Sequence, residues 1–133
     1  MKIYHTQAEI EADIKDGMLI VDTDVKFECS FKISAGIRVM GNINAWSIDA
    51  GNINAGDIDA GDIDAGNIDA GNIDARNINA GNINAGNIRF YAVAFAYIKF
   101  VCRSIVSTRN GNSKYFCLGG EVEVDPNKPE KKK

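Results

Sequence analysis

Histidine is almost missing from this chain: His5 is the single one among 133 residues. It precedes the repetitive middle of the sequence, so no Ser-His or Cys-His pair can be assembled there, and nucleophilic catalysis of that kind is excluded. Three cysteines, Cys29, Cys102 and Cys117, are widely spaced and include no C-x-x-C. Such a set gives no disulfide framework and fits buried or incidental thiols in a reducing compartment. Long apolar runs are lacking too. The start, MKIYHTQAEIEADIK, has no apolar stretch of the roughly 7–15 residues of a secretion signal, and no segment nears the ~18 of a membrane span. A cytoplasmic protein with no membrane contact is expected.

Neither G-x-x-x-x-G-K-[ST] nor G-x-G-x-x-G occurs among the glycines, so no phosphate cradle or dinucleotide site is expected. Between Gly41 and Ile88 there is no glutamate and only one base, Arg76, against seven aspartates, a local charge of −7 + 1 = −6. The whole chain, with 18 acids and 15 bases, hides that asymmetry at a net −3.

What the sequence does have is a word. Residues 41–90 divide into ten pentads, GNINA WSIDA GNINA GDIDA GDIDA GNIDA GNIDA RNINA GNINA GNIRF, with Ile third in all ten. A period of five suits neither a helix at 3.6 nor a simple strand at 2, and recurring Gly, Asn and Asp oppose a helix. It suits a short strand followed by a corner, repeated as a solenoid. Gly in the first place meets a corner that needs positive φ or close backbone approach. Ile and Ala are expected to point inward and Asn or Asp outward. Trp46 and Arg76, which replace Gly in the first place, are too large for the inside of a narrow coil and belong at exposed corners.

The fold class expected is mainly β: a β-helix of five-residue repeats with a short N-terminal helix and strand caps at both ends. Residues 1–40 form an N-terminal cap. In it, Thr6 and Glu9 make a capping box for a helix ended by Asp16-Gly17, and strands follow at 18–21 and 25–33. Residues 41–90 form the coil. Residues 91–126 form an apolar cap or dimer region in which Val93 and Ile98 continue the Ile column and Phe95 and Phe100 the Ala column. STRNGNSK is a turn between strands, FCLGGEVEV a closing strand, and residues 127–133 a basic tail.

Pentads with Asn or Asp before a central aliphatic residue resemble the pentapeptide-repeat family. The matching positions are Ile43, Ile48, Ile53, Ile58, Ile63, Ile68, Ile73, Ile78, Ile83 and Ile88, with Asn or Asp before each except Ile48. The family usually places a small inward residue two before the central one, where this chain has Gly, Trp or Arg and instead has Ala two after. The resemblance implies a right-handed, four-sided β-helix. The wording NINAGNIDA is also similar to small proteins carried by phages and prophages of Gram-positive bacteria. With four pentads per turn, residues twenty apart would stack, ten pentads would rise about 12 Å, and the acids would fall about every 1.7 Å, close to the charge spacing of duplex DNA. Asp49 over Asp69 would then be the one stacked like-charge pair.

Some pentapeptide-repeat proteins act as DNA mimics, so the resemblance implies that Asp49, Asp57, Asp59, Asp62, Asp64, Asp69 and Asp74 form an acidic partner-binding ladder. Trp46 and Arg76 are further contact candidates. The implied partner is a DNA-binding protein: a Cas effector blocked by a phage anti-CRISPR, or alternatively gyrase or a topoisomerase. No direct nucleic acid binding, catalytic residue, cofactor or metal is expected; the period differs from that of the nonapeptide calcium motif. Two other readings stand beside this one. An Asn/Asp ladder also satisfies corners and keeps any solenoid soluble. A scaffold would instead use Phe90, Phe95 and Phe100 as a homodimer interface.

Overall fold

The computed structural model describes residues 1–108 and 114–128. Most of the STRNGNSK turn and the end of the basic tail lie outside them. The chain is a β-solenoid of about six turns with one short helix near its N-terminus. Parallel strands stack in register: Ile43 pairs with Ile58, Ile58 with Ile73 and Ile73 with Ile88. The repeat distance is therefore fifteen residues, three pentads per turn. The four-pentad turn implied by the family resemblance is corrected by this register.

Three stacks of strand segments follow. The first face runs β1 (Lys2–Tyr4), the start of β3 (Val25–Lys32), the start of β5 (Ile43–Ala50), then segments of β7 (Ile58–Asp69), β8 (Ile73–Asn84) and β9 (Asn87–Cys102), ending on β10 (Ser104–Ser107). The second face takes the later parts of β3 and β5, the middles of β7, β8 and β9, and β11 (Lys114–Cys117). The third begins with β2 (Met18–Val21), β4 (Gly36–Val39) and β6 (Ile53–Asn54) and closes with β12 (Val122–Val124). Residues 1–40 are thus turns of the same coil as much as a lid on it.

The inward pair is the one the repeat suggests. All ten Ile of the pentads are 1% exposed or less, and each Ala from Ala45 to Ala85 is buried. Burying one such Ile contributes about 1.5–3 kcal/mol. No polar or charged side chain among the described residues is fully buried. Cys102 also lies inside, where burial pushes its thiol up to about 11.

Corner glycines serve close approach and not positive φ, which among the described residues occurs only at Asp16 and Gly17. A Cβ on Gly81 would stand 2.6 Å from the carbonyl oxygen of Gly66, one turn below. Helix α1 (Gln7–Ala12) closes the N-terminal end. Thr6 Oγ1 accepts from Glu9 N, and Glu9 Oε1 accepts from Thr6 N, at 3.2 and 3.0 Å. His5 N, and after it Thr6 N, donate to Glu9 Oε1 and hold the Glu9 carboxyl below the usual carboxylate range. The helix stops at Asp13, earlier than expected; Asp16 and Gly17 instead turn the chain so that Lys15 bridges Met18. The side chain of Gln7 grips the backbone of Lys32 through both amide atoms, and Ile10 is fully buried.

Above Phe90 the pentad phase breaks. Ala75 pairs with Phe90 but Asn77 with Val93, and Ala80 pairs with Ala96 but Asn82 with Lys99. One extra residue is accommodated at each corner, as a bulge does. After Ile88 and Phe90 the inward residues of β9 thus become Ala94, Ala96, Phe100 and Cys102. Val93 and Phe95 are only half-buried and Ile98 is 64% exposed, which corrects the expectation that Val93, Ile98 and Phe95 continue the inward columns. FCLGGEVEV is likewise two strands, β11 and β12, with a turn between them. Among the described residues no helix is long and apolar enough to cross a membrane.

Candidate functional site

Fifteen-residue stacking redistributes the acids. Asp57, Asp59 and Asp74 lie on the first face, Asp49, Asp62 and Asp64 on the second, and Asp69 alone on the third. Six of the seven therefore occupy two adjacent faces. The corner between those faces carries residues 46, 61 and 76, so Trp46 and Arg76 sit two turns apart on one edge with Gly61 between them. Trp46 is 61% exposed. Arg76 Nε reaches Asp62 Oδ1 at 3.6 Å, with both side chains largely in solvent, so this pair contributes little to stability.

The acids divide by their place in the word. Second-place side chains form a hydrogen-bonded ladder up the coil. On the first face, Asp24 Oδ1 accepts from Asn42 N at 2.8 Å, Asn42 Oδ1 from Asp57 N at 2.9 Å, Asp57 Oδ1 from Asn72 N at 3.0 Å and Asn72 Oδ1 from Asn87 N at 2.9 Å. On the second, Asp62 Oδ1 accepts from Asn77 Nδ2 at 2.8 Å. Asp57 and Asp62 therefore do structural work that Asn does elsewhere in the same ladders. Asp24 belongs with them, but it precedes Asn42 by eighteen residues, outside the pentads, and no spacing in the sequence points to it.

Fourth-place acids stand further out. Asp59, Asp64, Asp69 and Asp74 are exposed and Asp49 is half-exposed. Here like charges stack: Asp49 lies under Asp64, and Asp59 under Asp74. The expected Asp49–Asp69 pair is not formed, because twenty residues is not one turn. Like charges directly opposite are destabilising. Both pairs have a base beside them in the column: Lys32 below Asp49, and Arg89 above Asp74. Lys26 and Arg38 occupy the lower turns of the first and third outward columns. These bases confine the acidic field to the middle turns, where ten pentads now rise about 16 Å and carry one acid per about 2.3 Å, sparser than duplex DNA.

The remaining candidates are scattered. Phe90 and Phe100 are 1% and 0% exposed inside the coil, so neither offers surface to a second chain, which corrects their expected place in a dimer interface. Their rings fill positions that Ala and Ile occupy one turn below. Phe95 points outward and is half-buried. His5 stands 3.8 Å from Glu28 at the exposed N-terminal end. Among the described residues no three His, Cys, Asp or Glu side chains gather as ligands for a metal ion. No protein-family model matches the chain, and no curated protein or solved structure does.

Proposed function

We propose that the protein is a non-enzymatic inhibitor that presents its first and second faces, as a DNA-like acidic surface, to a DNA-binding protein of the bacterial cytoplasm. One observation carries this reading: Asp is stacked on Asp in two adjacent outward columns, although Asn fills equivalent places in the same word. Replacing one Asp of each pair by Asn would remove a destabilising contact, so retaining both carboxylates is a feature of the surface and not of the coil. The exposed Trp46 and Arg76 on the shared edge are of the residue types that dominate protein interfaces. A Cas effector, blocked as by a phage anti-CRISPR, is the target that the small size and the phage-like wording of the repeat favour; gyrase or a topoisomerase is the alternative.

The test is displacement of labelled duplex DNA from a purified guide-loaded Cas effector and from purified gyrase. The wild-type chain displaces DNA from one of them, and its apparent affinity falls steeply between about 50 and 200 mM salt, as for a site built to neutralise phosphates. Inhibition that ignores salt, or no displacement from either target, contradicts the proposal.

A second reading, a self-associating scaffold, is favoured by the C-terminal end of the coil. There, among the described residues, β10, β11 and β12 pair with β9 alone, and Tyr115 and Val124 are 44% exposed each. An open edge of this kind invites another strand. If the scaffold reading holds, light scattering finds a dimer and Val124→Lys returns it to monomer. A monomer at every concentration removes it.

A further inference from the structure

The outward column of the second face changes chemistry along its length. From the N-terminal end it reads Lys32, Asp49, Asp64, Asn79, Phe95, Phe116. Phe95 and Phe116 end a run of polar residues, Phe95 half-buried and Phe116 in solvent. Phe116 is 45% exposed and the neighbouring Tyr97 51%. The Phe95 ring lies 4.7 Å from each of the other two rings in edge-on geometry, at 86° to Tyr97 and 67° to Phe116. Ile98, next to Tyr97 in the chain, and Leu118, two residues after Phe116, are 64% and 73% exposed. Successive members of a column are about 4.8 Å apart, so Asp64 and Phe95 are separated by about 10 Å, within reach of neighbouring side chains on one extended segment.

We infer that the second face is the docking site for an arginine-rich segment of a partner protein, with the aromatic cluster as its anchor. The inference rests on the acidic-surface reading above and adds to it which cation the face selects. Asp49 and Asp64 supply charge complementarity to a basic segment, while Asp62 already faces Arg76, and Lys32 and Lys114 mark the two ends of the face. Aromatic rings on the same face as carboxylates distinguish the two basic side chains. A guanidinium is planar and weakly hydrated, pairs with a carboxylate through two hydrogen bonds and stacks on a ring, whereas an ammonium is a strongly hydrated point charge. Cation–π attraction over Phe and Tyr adds to the same preference.

Calorimetric titration of the purified chain with an oligo-arginine peptide and an oligo-lysine peptide of equal length, at several salt concentrations, tests this. The arginine peptide binds about tenfold tighter. Phe116→Leu combined with Tyr97→Leu keeps the apolar area but removes two of the three rings; the preference falls severalfold, the remainder coming from Phe95 and from carboxylate pairing, while the salt dependence stays. Asp49→Asn combined with Asp64→Asn weakens both peptides and flattens the salt dependence. Equal binding of the two peptides by the wild type, or an unchanged preference in the leucine variant, overturns the inference and leaves the acidic surface standing. Failure of both peptides to bind at low salt overturns both. Light scattering that shows the leucine substitutions splitting a dimer makes a second copy the occupant, and the arginine inference falls.

Discussion

Ile63→Ala lowers the stability of the coil by about 2–5 kcal/mol, read as a lower urea midpoint with an unchanged slope. Ile63 is 1% exposed and stacks between Ile48 and Ile78 in the middle of the solenoid. Removing three carbons there leaves a void that the neighbouring turns cannot close without breaking their own register. Because each turn of a solenoid touches only the turns beside it, the loss falls on the two interfaces that Ile63 makes, with Ile48 and Ile78. Ile63→Val, which keeps most of the volume, costs about 0.5–1.5 kcal/mol. Ile98→Ala is the control. It truncates the same residue type at a position 64% exposed, and the change stays within about 0.5 kcal/mol. If Ile63→Ala were as mild as Ile98→Ala, the column through Ile63 would not be the core.

Gly86→Val is expected to cost about 1–3 kcal/mol, for a reason unrelated to backbone φ. Gly41, Gly56, Gly71 and Gly86 stack directly at one corner. Gly56 N donates to Gly41 O at 2.8 Å, Gly71 N to Gly56 O at 2.5 Å, and Gly86 N to Gly71 O. A Cβ on Gly86 would lie 2.5 Å from Gly71 O, a backbone atom that cannot swing aside. Valine therefore pushes two turns apart along the line of their hydrogen bonds. Trp46 and Arg76 stand at a different corner, where a glycine separates one side chain from the next. Gly120, with nothing within 4 Å of its would-be Cβ, is the control: Gly120→Ala changes the thermal midpoint little. Equal effects at Gly86 and Gly120 would mean that the corner is looser than its hydrogen bonds imply.

The sequence discloses what lies within one pentad and hides what depends on how pentads close into a turn. Ile and Ala as the inward pair, and Trp46 and Arg76 as exposed corner residues, follow from volume and polarity alone. The helix start at Thr6 follows from its capping box. The number of pentads per turn does not follow, because every pentad carries the same corner chemistry and the word contains no information about the corner angle. That single unknown decides every vertical neighbour. With fifteen residues per turn instead of twenty, Asp49 meets Asp64 and not Asp69, and six acids gather on two faces. The two extra residues in β9 were equally hidden. In RFYAVAFAYIKFVC almost every residue is apolar enough to face either way, so the shift that turns Ile98 and Phe95 outward and Phe100 inward leaves no mark in the composition. Asp24 and the bases Lys32 and Arg89 join the acidic columns only through stacking.

The central claim is that the stacked aspartates serve a partner and not the fold. Its most direct test combines Asp49→Asn, Asp59→Asn, Asp64→Asn and Asp74→Asn in one chain, followed by thermal melting and duplex-DNA displacement from the purified target. Asn occupies the same columns at Asn44 and Asn79, so the coil accepts it. Relief of each like-charge pair stabilises by about 0.2–1 kcal/mol, and the melting point holds or rises. The acidic-surface reading predicts that this equally or more stable protein no longer displaces DNA. A variant that melts as predicted and still inhibits as well as the wild type would contradict it.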